Sequence, residues 1–218
     1  MELGPIVLSF VVALVATLLA FVVGVPLAAL LARRFPGRMV VDALVTAPMV
    51  LPPTVLGYYV LVSLGRDSPI GQAWQAVTGS TIVFTFTGLV VAAFVGALPF
   101  VVRAARAAIE DVDERLVQAA RTLGATRSRA FYSVTLPLAR RGIGAGVSLG
   151  FAKALGDFGV TLMISGNISG RTKTGALAIF DAVLAGDGAT ANGLALVMTA
   201  SAVVALVFAN RLVERRAR

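Results

Sequence analysis

Long apolar runs alternate with short polar connections along the chain, and their lengths are those of helices that cross a bilayer. A hydrocarbon core ~30 Å thick takes about 20 mainly apolar residues to cross. Residues 5–32, 43–65, 81–102 and 188–210 meet this requirement. A fifth stretch, 142–164, has the length but carries Lys153 and Asp157 in its interior. The pattern predicts an all-α membrane protein with five main spans. Residues 174–184 are apolar but too short to cross, and predict a short helix that lies at the interface or dips into the bundle. The uncharged run from Leu3 to Ala32 is too long for a cleaved leader and follows Glu2 instead of a basic flank, so it reads as a retained helix. A single transmembrane domain over residues 1–218 is expected, and no internal repeat favours an inverted-repeat carrier.

Charge gives the spans a direction. Three arginines lie at 33–38, eight at 103–141 and four after Asn210, whereas the other two connections hold only Arg66, Arg171 and Lys173. The positive-inside rule puts the first group in the cytoplasm, with the N-terminus outside and the C-terminus inside. The net charge of +8 follows from this asymmetry, and a nucleic-acid partner is not expected. With no Cys and no His, the chain lacks thiol nucleophiles, disulfides and imidazole bases. It also has no Gly-x-x-x-x-Gly-Lys-Ser/Thr phosphate cradle; the nearest stretch, 166–174, has the wrong spacing.

The basic insert between the third and fourth spans, about 110–137, is the most informative segment. Glu110, Asp111, Asp113 and Glu114 come first, and Arg115, Arg121, Arg127 and Arg129 follow, an order that complements a helix dipole. Leu116, Ala119, Ala120 and Leu123 share one helical face. Gly124 then sits where a helix ends. A second short helix over 128–134 is expected, with Pro137 opening the next span. The alternative is a solvated loop that merely satisfies topology.

This insert resembles the cytoplasmic coupling loop of permease subunits in binding-protein-dependent ABC importers. That pattern runs Glu-Ala-Ala, three residues, Gly, nine residues, Ile, one residue, Leu-Pro. Here Gln118-Ala119-Ala120, Gly124, Val134 and Leu136-Pro137 keep the spacing, with Gln for Glu and Val for Ile. The resemblance implies a type I importer fold and a coupling helix that docks on a separate ATPase. Gln118, Ala119, Ala120, Thr122, Gly124, Ala125, Arg127, Leu136 and Pro137 would carry that coupling. Residues 47–58, containing Leu51-Pro52-Pro53-Thr54-Val55-Leu56-Gly57-Tyr58, and the loop Gly166-Asn167-Ile168-Ser169-Gly170-Arg171-Thr172-Lys173-Thr174 further resemble molybdate importer permeases. That likeness extends from about Ala43 to Arg211, with Asp157 where the family often has Glu.

The resemblance implies a homodimer in the inner membrane of a prokaryote, in contact with lipid. Two cytoplasmic ATPase subunits would bring ATP and Mg, an extracytoplasmic protein would deliver molybdate or tungstate, and this chain would bind no cofactor. A sulfate permease and an ion-coupled carrier or anion channel are the competing readings. Pro52, Pro53, Thr54, Lys153 and Asp157 are the pore or gate candidates. Pro48, Pro52 and Pro53 free backbone carbonyls, either for packing or to line a cavity. Lys153 and Asp157, four apart, can pair for structure or act in gating. Thr81, Thr85, Ser148, Thr161 and Ser165 can donate to an oxyanion or bond their own backbone. Arg66, Arg171 and Lys173 can touch a binding protein or remain solvated. Gly142, Gly144, Gly146 and Gly150 permit close helix contact, within the subunit or between subunits.

Overall fold

The computed structural model describes residues 4–215, and every regular element among them is helical. Three helices are long and apolar enough to cross a membrane: α1 (Gly4–Leu31), α5 (Phe86–Glu110) and α11 (Gly188–Arg215, apolar through Val207). Helix α8 (Leu136–Leu155) packs with α1 and α5 to form the core. Their contact is built from small residues: Ala13, Ala16, Ala20 and Ala28 of α1, and Ala93, Ala97 and Ala105 of α5. In lipid no hydrophobic effect drives helices together, so association relies on backbones approaching closely enough for dispersion. The glycine series of α8 supplies that approach within the subunit. A Cβ at Gly146 would lie 2.7 Å from Ala104 Cβ, and one at Gly150 would lie 2.8 Å from Val101 Cγ2. Gly142 meets Ala108 in the same way, so this ridge is the α5–α8 seam.

Two expected spans are broken. Residues 43–65 form α2 (Arg38–Val50) and α3 (Pro53–Leu64), set at 119° to each other. Pro48 stays inside α2; the break belongs to Pro52 and Pro53. A residue before proline is pushed out of the helical region. Leu51 and Pro52 both precede one, and their ψ values are 138° and 137°. Pro53 then opens α3, where its missing N–H costs nothing. The fourth span breaks at Gly156-Asp157-Phe158 and resumes as α9 (Gly159–Ser165), bent by 60°.

The two broken ends find each other. Helix α3 packs on α9 across Leu56, Val160 and Ile164, with Ala92 of α5 behind them. A Cβ at Gly159 would sit 2.7 Å from Pro53 Cβ, and one at Gly57 would sit 2.8 Å from Met163 Cβ.

Other boundaries also differ from expectation. The third span begins at Phe86 because Thr85 is extended and its hydroxyl accepts from Gly88 N–H at 3.4 Å. It continues to Glu110, about 37 Å in all at 1.5 Å per residue. Helix α4 (Pro69–Thr78) was not foreseen, although Ser68 caps it, Pro69 opens it and Gly79 closes it. The short apolar helix expected over 174–184 is α10 (Gly175–Leu184), which lies on α11 and α1.

Candidate functional site

The insert folds as a short helix, a turn and a return into α8. Helix α6 (Glu114–Thr122) starts at Asp113, whose carboxylate accepts from Arg115 N–H at 2.8 Å. It ends in a two-bond cap: Gly124 N–H donates to Arg121 O at 3.0 Å and Ala125 N–H to Ala120 O at 3.1 Å. That closure requires a left-handed residue. Gly124 supplies it, with φ +89°. Thr126 then caps α7 (Arg127–Ala130) by accepting from Arg129 N–H at 3.2 Å.

The expected separate helix over 128–134 is replaced by a continuous rod. A single π turn, Phe131–Thr135, joins α7 directly to α8, with Leu136 N–H bonded to Phe131 O. A proline within a helix cannot donate and crowds the carbonyl four residues before it. Pro137 lies just past the π turn, a common way for a helix to absorb such a disruption. The turn at Gly124 is therefore followed by unbroken helix from Arg127 to Leu155.

Helix α6 buries none of its residues. Leu116 is half exposed and Leu123 is 89% exposed, whereas Ala120 of the same face is partly covered, so the two leucines read from the sequence remain open to solvent. Gln118, Arg121, Thr122, Gly124 and Ala125 border a shallow open depression. Leu136 is half-buried and Pro137 exposed, at the base of the rod. Beside them a four-residue ion network joins α2 to α5. Arg38 reaches Glu110 at 2.7 Å, Arg106 reaches Glu110 at 3.0 Å and Asp42 at 2.8 Å. These groups are partly solvated, so each pair contributes at most about 1 kcal/mol.

The pore candidates converge at the broken spans. Asp157 lies beyond the end of α8, where its side chain is 2% exposed. One oxygen accepts from Lys153 Nζ at 3.2 Å. The other accepts from Thr161 N–H at 3.0 Å and Thr161 Oγ1 at 2.8 Å. The carboxylate thereby satisfies a donor that the break left without an intrahelical partner. Gly96 of α5 faces the pair, a Cβ there reaching ordinary contact with Lys153 Cε at 3.6 Å. Pro52, Pro53 and Thr54 are exposed at the facing break.

The hydroxyls named from the sequence mostly bond locally. Ser148 donates to Gly144 O at 3.1 Å, Thr85 to Ile82 O at 2.6 Å and Thr81 to Val83 O at 3.1 Å. Ser165 is buried with its hydroxyl unpartnered among the described residues.

At the other end of α5 the loop after α9 is folded by its own bonds. Thr172 Oγ1 donates to Ser165 O at 2.8 Å and accepts from Ile168 N–H at 3.1 Å. Lys173 is engaged with Asp181 of α10 at 2.6 Å, and Asn167 Nδ2 donates to the same carboxylate at 2.6 Å. Arg171 is exposed. Arg66 lines a cleft of about 1000 Å³ between α3, α4 and the Thr81–Phe84 turn. Phe84 there holds φ +62°, its N–H donating to Ile164 O at 3.0 Å. The roles of Thr161 as partner to Asp157 and of Asp181 as anchor of the loop were not read from the sequence. Both pairings join segments whose approach depends on a break or a turn.

Residues 20–218 match the family described as binding-protein-dependent transport system inner membrane component. The chain is 46% identical over 195 residues to the molybdenum transport system permease protein ModB of Azotobacter vinelandii, covering 89% of this chain and 86% of that one. It is 41% identical over 208 residues to ModB of Escherichia coli (strain K12), covering 94% and 91%. Its fold is similar to a chain of the MetNI methionine ABC transporter in an inward-facing conformation, with TM-score 0.76, 19% identity, and 97% and 94% of the two chains covered. With this match across most of its length and an all-helical fold of the same kind, the chain belongs to the inner membrane permease components of binding-protein-dependent ABC importers.

Proposed function

We propose that this chain passes molybdate, and tungstate as a near analogue, through a homodimeric pore by alternating access driven by two separate ATPase subunits. The near full-length similarity to proteins named molybdenum transport permeases carries the choice of cargo. The unburied apolar face of α6 supports ATPase docking. Five crossings follow if each bent pair, α2–α3 and α8–α9, counts as one span beside α1, α5 and α11. The N-terminus is then outside, the C-terminus inside, and α6 cytoplasmic, as the arginine distribution requires. ATP and Mg belong to the ATPase, and an extracytoplasmic binding protein delivers the oxyanion to the end carrying Arg66, Arg171 and Lys173.

In this mechanism ATP-driven closure draws the two α6 helices together. The rod from Arg127 through Leu155 transmits the movement to the break at Gly156-Asp157-Phe158. Helix α9 carries α3 with it through the Gly159–Pro53 and Gly57–Met163 contacts. The exposed face at Pro52, Pro53 and Thr54 is where the pore would open. An ion-coupled carrier would need Lys153 and Asp157 to exchange partners during transport. The commitment of Asp157 to Thr161 favours a structural role for that pair.

Uptake of labelled molybdate, tungstate and sulfate by vesicles holding the complete complex tests the cargo. Molybdate and tungstate should enter and compete with each other, and sulfate should compete poorly. Preferred sulfate uptake would overturn the assignment.

A further inference from the structure

We propose that the cleft beneath the coupling hairpin binds the phosphate headgroup of an anionic phospholipid. This cleft holds about 720 Å³ and lies between the ends of α1 and α5, Val117 of α6, Arg127 of α7 and Phe131 of the π turn. It is separate from the depression around Gln118 and Thr122.

Four arginines line it: Arg33, Arg34, Arg38 and Arg127. Arg38 is held by Glu110 at 2.7 Å. Arg33, Arg34 and Arg127 have no ion pair or side-chain hydrogen bond among the described residues. Of the two acids in the lining, Glu110 is paired with arginine and Glu114 keeps its charge. Glu110 is shared by Arg38 and Arg106, and Glu114 accepts from Gln118 Nε2 at 3.3 Å. Four arginines against two acids leave positive charge in excess, beside the apolar side chains of Ala29, Ile109 and Val112. Phosphate oxygens suit forked guanidinium donors.

The position selects a lipid over a free anion. Ala29 lies in the last turn of α1 and Arg33-Arg34 are the first charges after its apolar run, which is where a span meets the headgroup layer. Leu30, Met39, Val40 and Leu44 expose 47%, 85%, 63% and 69% of their surface on the adjoining helices, an apolar track for acyl chains. Basic pockets between spans on the cytoplasmic side suit such headgroups. The bound lipid braces the inner face of α6 while its outer face remains free for the ATPase, so the composition of the inner leaflet tunes coupling. The site depends on the orientation argued above for which leaflet supplies the lipid, and is independent of the cargo.

The test uses the complete complex in nanodiscs of phosphatidylcholine with or without phosphatidylglycerol, read by native mass spectrometry and by transport-coupled ATP hydrolysis. Wild type should retain phosphatidylglycerol in preference to phosphatidylcholine, and its coupled rate should rise with that lipid. R33Q/R34Q should retain it roughly thirtyfold more weakly, the loss that removing two cations from an anionic surface gives. R33K/R34K keeps the charge but loses the forked donors, and should retain the lipid more strongly than R33Q/R34Q and less strongly than wild type. Assembly with the ATPase should be unchanged in both variants. Equal retention of the two lipids by wild type would overturn the proposal whether or not a variant folds. Displacement by inorganic phosphate alone would assign the cleft to a free anion. Loss of the lipid as soon as the ATPase binds would assign it to that protein. Either result would also overturn the proposal, and neither depends on which oxyanion is carried.

Discussion

Replacing Gly124 separates the backbone demand of the turn after α6 from its packing. No heavy atom lies within 4 Å of a Cβ built there, so alanine meets no steric obstacle within the chain. Its cost comes from φ +89° alone, and left-handed geometry costs an L-residue about 1–2 kcal/mol. That shifts the balance between the closed and open turn by a factor of about 5–30. The two-bond cap from Ala120 and Arg121 loosens, and α6 is no longer held at a fixed angle to the rod. Gly79 provides a matched control: φ is +71°, a Cβ has nothing within 4 Å, and it ends α4 at the other end of α5.

In proteoliposomes holding the full complex, G124A should lower transport-coupled ATP hydrolysis several-fold, and G124V should abolish it. G124N should stay close to wild type because Asn tolerates the left-handed region. G79A should leave coupling unchanged, and hydrolysis by the isolated ATPase is the baseline. Equal loss in G124N and G124V would refute the backbone argument. Equal loss in G79A and G124A would show that the effect is general destabilisation.

Three further outcomes follow from the same geometry. G146L drives a side chain into Ala104 and should destabilise the α5–α8 seam by about 1–3 kcal/mol, read as a lower unfolding temperature in detergent. D157A leaves Thr161 N–H without its acceptor and Lys153 without its partner, and should cost about 1–3 kcal/mol; T161V should cost less, and equal thermal stability of D157A and wild type would contradict the capping role. Asp187, exposed at the start of α11, has its pKa held low by the Thr190 hydroxyl and backbone N–H. Its contribution is therefore complete above the ordinary carboxylate range and disappears as pH falls through the lowered value. Exchange of the Thr190 amide should accelerate on acidification in wild type and be insensitive to pH, beyond intrinsic exchange chemistry, in D187N.

The elements legible in the sequence are those whose signals are local. Gly124 marks the end of the first helix of the insert by residue type and spacing, and the structure puts it there; the caps at Asp113 and Thr126 were not read from the sequence. The long apolar runs of α1 and α11 need only a length argument. The breaks were harder because hydropathy averages across them. Leu51-Pro52 lies in an apolar run that reads as one span, and its 119° bend is stabilised by α3 resting on α9, more than 100 residues later. Helix α4 was missed despite Ser68-Pro69 and Gly79, since its amphipathic run is shorter than the spans around it. The glycines of α8 announced a close contact, but naming Ala104 and Val101 as the partners required the three-dimensional path. Asp157 read as a helical partner of Lys153. Its second duty, holding Thr161 across the break, exists only because the helix stops.

The central claim is that this subunit provides a path while another protein provides the energy through α6. The most direct measurement compares uphill molybdate accumulation in vesicles containing the permease alone, the permease with its ATPase and binding protein, and the same complex carrying G124V. The account predicts ATP-dependent accumulation in the wild-type complex only. Accumulation against a gradient by the permease alone, or undiminished accumulation by the G124V complex, would contradict it.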